Sequence, residues 1–402
     1  MTKRIYLDHL QQILDEQSVM LFLMGPRQVG KTTLSRMIAA NYKEHIYLNW
    51  DIDGDRERIL SGQRFIEKIF PSTRIISQKP LIIFDEIHKY RDWKNFLKGF
   101  YDLYQNQYHI IVTGSAHLDI FYKGGDSLMG RYIAYTIHPF SLGELNQNNP
   151  EKLLRSPEVI SQQDMEALYS FGGFPSPFLS RKVGWHNQWK RARKSQLFRE
   201  DIRDATDIHE VSQLELCAEM LTHQSGGIVN RSTVANKLKV SIHTITRWMA
   251  VLEQFYYLFP IYPWSNNIPH SLIKEPKIYL NDWSLIPEDT GVRFKNLIAC
   301  HLKKSVDFWT ESGYGEFGLY FLRDKKQREV DFIVTKDQKP WFLVEAKTSV
   351  QELSPPIAYY QKHTQAPYAF QVTKNMDYVE HDCFGQEGAF VVPYSTFLSQ
   401  LI

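Results

Sequence analysis

Gly25-Pro26-Arg27-Gln28-Val29-Gly30-Lys31-Thr32-Thr33 is the stretch that decides the fold. Its first eight residues satisfy G-x-x-x-x-G-K-[ST], with an apolar run at 19–24 before it and a helix-like run at 33–40 after it. Strand, glycine-rich loop and helix in that order make an anion cradle, because the glycines let backbone N–H groups turn onto phosphate oxygens at a helix N-terminus. In this reading residues 25–33 surround the phosphates. Lys31 reaches the β- and γ-phosphates and the Thr32 hydroxyl ligates Mg²⁺. The expected fold class is α/β, built on a P-loop NTPase parallel sheet.

Outward from the loop, Ile46-Tyr47-Leu48-Asn49-Trp50-Asp51 reads as a second strand. Leu81-Ile82-Ile83-Phe84-Asp85-Glu86 reads as a buried strand that delivers two carboxylates to its C-terminal edge. Asp85 is the expected Mg²⁺ partner and Glu86 the residue that orients the attacking water. A further apolar run, His109-Ile110-Ile111-Val112, ends in Thr113-Gly114-Ser115, whose hydroxyls can approach the γ-phosphate and that water. This order predicts an additional strand between the loop strand and the acidic strand. No [NT]-K-x-D run follows, so the expected ligands are ATP and Mg²⁺ rather than a guanine nucleotide.

Five segments together carry a family resemblance: 25–33, Phe-Asp-Glu-Ile-His-Lys at 84–89, Thr-Gly-Ser at 113–115, Ser-Leu-Met-Gly-Arg at 127–131 and His-Pro-Phe-Ser-Leu-Gly-Glu-Leu at 138–145. The chain resembles, over nearly its full length, the prokaryotic AAA-type P-loop ATPases that carry a C-terminal DUF4143 region. The resemblance implies an ATPase with catalytic Lys31, Glu86, Ser115 and Arg131. Arg131 would meet the γ-phosphate in cis or from a neighbouring subunit, which brings in a homo-oligomer. Its other reading is a surface pair with Asp126. The expected domains are an AAA-type core at 1–150, a helical lid at 151–210, a winged helix at 211–265 and a nuclease-like α/β domain at 266–402.

The chain has 402 residues, enough for about three domains. Its 47 basic and 45 acidic side chains leave a net charge of only +2, so any nucleic-acid surface must be local. Cys217, Cys300 and Cys383 are widely spread, which points to neither a disulfide framework nor a zinc ribbon. The start of the chain lacks a signal-peptide pattern and residues 19–24 are too short to cross a bilayer, so the expected location is cytoplasmic, without a membrane partner.

Three later stretches invite functional readings. Gly172-Gly173-Phe174-Pro175 predicts a backbone bend, and the following 181–203 is rich in Lys and Arg around Trp185 and Trp189, either a phosphate-binding helix or a solvated face. Residues 230–252 read as a helix-turn-helix. Ser241 caps its second helix, Ile245, Trp248, Met249 and Leu252 form the buried side, and 255–261 would supply a wing. His243, Thr244 and Arg247 then fall where DNA-reading residues sit, while protein docking is the other reading. In the last third, Asp331 precedes Glu345-x-Lys347 on strand-like runs, the arrangement of the PD-(D/E)XK nucleases, in which two carboxylates hold Mg²⁺ and a lysine positions the nucleophile. Where that family and fold commonly offer a glutamate, this chain has Lys295, which predicts weak metal binding. Glu345 and Lys347 also read as a simple edge-strand ion pair. The function expected overall is an ATPase coupling nucleotide state to a winged helix and a nuclease-like domain. Its alternatives are a nucleotide-gated protein-interaction switch and an ATP-regulated nuclease.

Overall fold

The computed structural model describes residues 4–70, 78–114, 128–145, 153–203, 206–265, 275–287 and 291–402. They form two compact units, Met1–His138 and Pro139–Ile402.

The first unit is built on strands β1 (Met20–Met24), β2 (His45–Asn49), β3 (Leu81–Asp85), β4 (His109–Thr113) and β5 (Tyr132–Thr136). All are parallel, in the order β2-β3-β4-β1-β5. β4 therefore lies between the loop strand and the acidic strand, as the order of motifs predicts. Every residue of β1 and β3 is buried, because a parallel sheet is covered on both faces. The helix Trp93–Tyr104 buries Trp93, Phe96, Leu97, Phe100, Tyr101 and Tyr104, a stripe at helical spacing that packs on one sheet face. Parallel pairing also sets the C-terminal ends of all five strands along one edge. In-register partners there include Asp85 with Thr113 and Met24 with Thr136.

The second unit carries a mixed sheet in the order β12-β11-β10-β9-β8-β6-β7. Its strands are β6 (Leu258–Pro263), β7 (Lys277–Leu280), β8 (Phe317–Arg323), β9 (Glu329–Lys336), β10 (Lys339–Lys347), β11 (Tyr368–Thr373) and β12 (Gly388–Pro393). β8, β9 and β10 form an antiparallel meander between the helices Gly291–Glu311 and Pro355–Thr364, and β11 runs parallel to β10. The expected wing run differs at its start. Phe255, Tyr256 and Tyr257 close the preceding helix, Tyr256 taking φ 55°, and the strand begins at Leu258. That strand also pairs with β8, so it belongs to the large sheet.

The 138–145 motif is structural where it enters this unit. Glu144 and Lys304 form a fully buried ion pair, and the Leu142 amide donates to His301 Nε2 at 2.9 Å. A Cβ on Gly143 would overlap the Leu401 carbonyl oxygen, so only glycine fits beneath the buried residues Leu401 and Ile402. The expected bend at 172–173 is present. Gly172 has φ 78°, and the Gly173 carbonyl accepts the Phe140 amide at 2.7 Å.

Candidate functional site

The nucleotide-site candidates gather at the C-terminal edge of the first sheet. Gly25 follows β1 with φ 136°, and a Cβ there would strike the Ile137 carbonyl oxygen. Gly30 takes φ 100° directly before the helix Lys31–Ala39, whose N-terminus no described side chain caps. Pro26, Arg27, Gln28 and Val29 span the loop between them, and Gln28 also adopts a left-handed conformation (φ 64°). Lys31 is buried and its Nζ donates to the carbonyls of Gly25 and Pro26, both at 2.9 Å, so the ammonium lies across the mouth of the loop. Thr33 continues the helix.

Asp85 is the hub. Thr32 Oγ1 donates to its Oδ2 at 2.9 Å, the Tyr47 hydroxyl donates to the same oxygen, and Thr113 Oγ1 donates to Oδ1. A carboxylate joined to the loop threonine is the geometry by which the pair would share a hydrated Mg²⁺. Burial, then the hydrogen bond to Asp85, raises the Tyr47 pKa, so the phenol stays a donor. Glu86, next in the chain, is held at φ 56° and its Oε2 is buried without a hydrogen-bond donor among the described residues. Lys89 Nζ at 3.5 Å is the nearby cation and is tied more closely to Asp51, at 2.6 Å, while His88 Nε2 lies 3.7 Å from Glu86 Oε2. Burial lowers the His88 pKa against the pull of Glu86, which leaves the imidazole neutral. Ser115 lies outside the described residues, as does Asp126.

Arg131 is elsewhere. Its carbonyl accepts the Met20 amide at the start of β1, and the loop leaves β1 beyond Met24. At 3.3 Å per residue roughly 13–16 Å of strand separates the two ends. Its guanidinium instead holds Asp102, with hydrogen bonds of 2.7 and 3.1 Å. A γ-phosphate contact in cis is thus corrected by the topology, since Arg131 stands at the N-terminal edge of a sheet whose C-terminal edge carries the loop.

Sequence reasoning missed two side chains. Tyr47 sits on β2 with no motif around it. Arg4 is buried and bridges the Val29 carbonyl at 2.8 Å to the His138 carbonyl at 2.6 Å, a staple under the loop that no local pattern announces.

Residues 17–146 match the AAA domain. The AAA domain match thus covers the loop, Asp85, Glu86 and the whole first sheet. A second family, a domain of unknown function (DUF8612), matches 162–294, a different description from the DUF4143 region that the resemblance implied. The chain is 22% identical over 352 residues to the uncharacterized proteins Rv2008c of Mycobacterium tuberculosis and Mb2031c of Mycobacterium bovis, covering 86% of this chain and 74% of each of theirs. Among solved structures, it is similar to PCH-2 of C. elegans (TM-score 0.25, 13% identity, 61% of this chain and 66% of that one). It is also similar to a STAND protein with a tetratricopeptide repeat sensor from Pyrococcus horikoshii (TM-score 0.24, 12% identity, 76% and 45%). Both likenesses are too slight to bear on fold or function. No helix among the described residues is long and apolar enough to cross a membrane.

In the second unit Asp331 and Glu345 come together on β9 and β10. Asp331 Oδ2 accepts the Ala346 amide at 3.1 Å, Glu345 Oε2 accepts Ser354 Oγ at 2.9 Å, and Lys347 Nζ pairs with Glu345 Oε1 at 2.7 Å. Lys295, from the helix Gly291–Glu311, places Nζ 2.5 Å from Asp331 Oδ1. Burial alone would lower the Lys295 pKa, but Asp331, with Glu329 and Glu345 behind it, raises it above the usual lysine value. Lys277 pairs with Glu329 and lies 4.0 Å from Asp331. The cluster balances its own charges.

Of the eight cations at 181–203, four pair with acids of the same unit. Arg193 pairs with buried Asp282 at 3.2 Å and stacks 3.8 Å over Phe174, Trp189 is buried, and Arg181 pairs with Asp164. Lys194 and Arg199 face Glu219 and Glu215 at 3.6 and 3.8 Å.

Proposed function

We propose that this chain is a Mg²⁺-dependent ATPase whose AAA domain drives rearrangement of the second unit. One observation carries the reading: Asp85 is bonded at once to Thr32 of the loop and Thr113 of the inserted strand, with Glu86 immediately beyond it. The loop fits a triphosphate, since Gly25 and Gly30 hold left-handed backbone conformations suited to a phosphate cradle and Lys31, now on the Gly25 and Pro26 carbonyls, sits where it can turn to phosphate oxygens. Bound Mg²⁺ would neutralise charge building on the β- and γ-oxygens. Thr32 and Asp85 would hold that ion. Glu86, with a buried acceptor oxygen lacking a donor, would orient the attacking water. Arg131, at the far sheet edge, serves a phosphate only across a subunit boundary.

In the second unit the expected output modules are the lid, the winged helix and the nuclease-like strands. The order helix, β8, β9, β10, helix, β11 supports the nuclease-like reading of the fold, while the Lys295–Asp331 pair argues for a module without cleavage. The test is calorimetry with Mg²⁺-ATP followed by phosphate release under multiple turnover. Absence of binding overturns the reading, and binding without turnover supports the nucleotide-gated switch instead.

A further inference from the structure

The helix-turn-helix has a charge distribution unlike the rest of the chain. From Met220 to Leu252 there is no Asp or Glu, while Arg231, Lys237, Lys239 and Arg247 all fall within that span. Among the described residues none of these four forms an ion pair. The contrast with the 181–203 stretch is direct. There the cations are more numerous, eight in all, and four of them pair with Asp164, Asp282, Glu219 and Glu215. In a chain of net charge +2, uncompensated cations concentrated on one small module are a local feature.

The module's architecture gives that charge a direction. The helices Val211–His223, Arg231–Leu238 and Ile242–Gln254 pack on one another, Ile228 bridges to Lys277, and β6 and β7 pair antiparallel behind them. Asn230 and Ser241 cap the second and third helices through the amides of Thr233 and Thr244. The third helix then divides into two stripes at helical spacing. Ile245, Trp248, Met249 and Leu252 are buried, whereas His243, Thr246, Arg247 and Ala250 are exposed. The exposed stripe offers an imidazole, a guanidinium and, at Ala250, no bulk. Thr244, expected among the reading residues, is instead half-buried and shares its hydroxyl with Ser241 Oγ at 2.8 Å. A protein-docking stripe would be apolar at its centre, and here the large exposed apolar side chain is Ile242, at the helix start.

We propose that this face binds duplex DNA, with Arg231, Lys237 and Lys239 on phosphates and the His243, Thr246 and Arg247 stripe entering the major groove. The chemistry follows from the groups. Phosphates are met by unpaired cations, and an arginine near the start of a groove-facing helix can donate both of its terminal N–H groups to guanine O6 and N7. The proposal does not rest on the ATPase reading.

The experiment is fluorescence anisotropy of the full chain, without nucleotide, on a labelled random-sequence duplex between 50 and 300 mM NaCl. Three phosphate contacts give a log–log salt slope of about −3. The Lys237→Glu/Lys239→Glu variant should bind at least ten-fold more weakly, and Arg247→Ala several-fold more weakly, with thermal midpoints equal to that of the parent. Retained Mg²⁺-ATP binding in these variants separates failure here from failure of the ATPase reading. No binding at 50 mM NaCl overturns the proposal. So does binding that these substitutions leave unmoved, or equal affinity for poly-glutamate, which would mark a general polyanion surface.

Discussion

Lys295 Nζ lies 2.5 Å from Asp331 Oδ1, so an ammonium occupies the position from which a divalent cation would have to approach that carboxylate. Glu329, Glu345, Lys277 and Lys347 complete a cluster in which each acid already has a basic neighbour.

The parent protein is therefore expected to leave plasmid, single-stranded DNA and RNA intact under Mg²⁺ or Mn²⁺. Lys295→Glu should bind Mn²⁺ measurably by calorimetry, because it replaces the internal cation with a ligand. Parental cleavage that both Asp331→Ala and Glu345→Ala abolish would contradict this. Lys295→Ala should lower stability by about 1–3 kcal/mol in urea titrations, since it leaves Asp331 buried with a weaker partner.

Lys31→Ala should lose Mg²⁺-ATP binding, while Glu86→Gln should keep it and lose hydrolysis by about a hundred-fold or more. Calorimetry and phosphate release measure the two separately. Equal turnover in Glu86→Gln and parent would remove Glu86 from the mechanism.

Gly25→Ala combines a φ of 136° with a Cβ driven against the Ile137 carbonyl. It should abolish nucleotide binding and cost about 1–3 kcal/mol of stability. An unchanged urea midpoint would show that the loop relaxes freely.

Arg131→Ala should keep ATP binding and lose turnover if Arg131 serves a neighbouring subunit. Mixing it with Lys31→Ala should then restore part of the activity, because one interface in the mixture pairs an intact loop with an intact arginine. Full activity of Arg131→Ala alone would reduce the residue to its pairing with Asp102.

His301 supplies a pH signature. Burial pushes its pKa down to about 3, and both nitrogens are committed, Nδ1 donating to Leu297 O at 2.8 Å and Nε2 accepting from Leu142 N. Between pH 6.5 and 3 the unfolded chain binds a proton that the folded one refuses. Stability is thus complete above pH 6.5 and falls by about 1.4 kcal/mol per pH unit below it. His301→Gln should flatten that slope in urea titrations at pH 7, 6 and 5.

Much of the first unit was legible because its signals are local. A phosphate loop between a strand and a helix, and an acidic pair ending a four-residue apolar run, each specify their own surroundings. The position of β4 followed from motif order. Arg131 was misplaced because a residue after the Thr113 strand in sequence stands at the opposite sheet edge in space, and only the register of β5 with β1 reveals it. Arg4 and Tyr47 left no trace, since their partners Val29 and Asp85 lie far along the chain and come near only through the fold. In the second unit Lys295 stood out by residue type, but its contact with Asp331 depends on how the helix Gly291–Glu311 meets β9. The basic stretch misled for a similar reason. Its acidic partners Asp282, Glu215 and Glu219 lie later in the chain.

The packing of Gly143 beneath Leu401, with the Ile402 amide 3.3 Å from Ser305 Oγ, joins the first and last residues of the second unit. Its interior therefore cannot close until residue 402 has been translated, whereas the AAA domain has every strand of its sheet by Thr136. On the ribosome the first unit, about a third of the chain, can form while the second remains an open chain. Removing even three residues from 400–402 should then act on the yield of folded protein more than its length suggests.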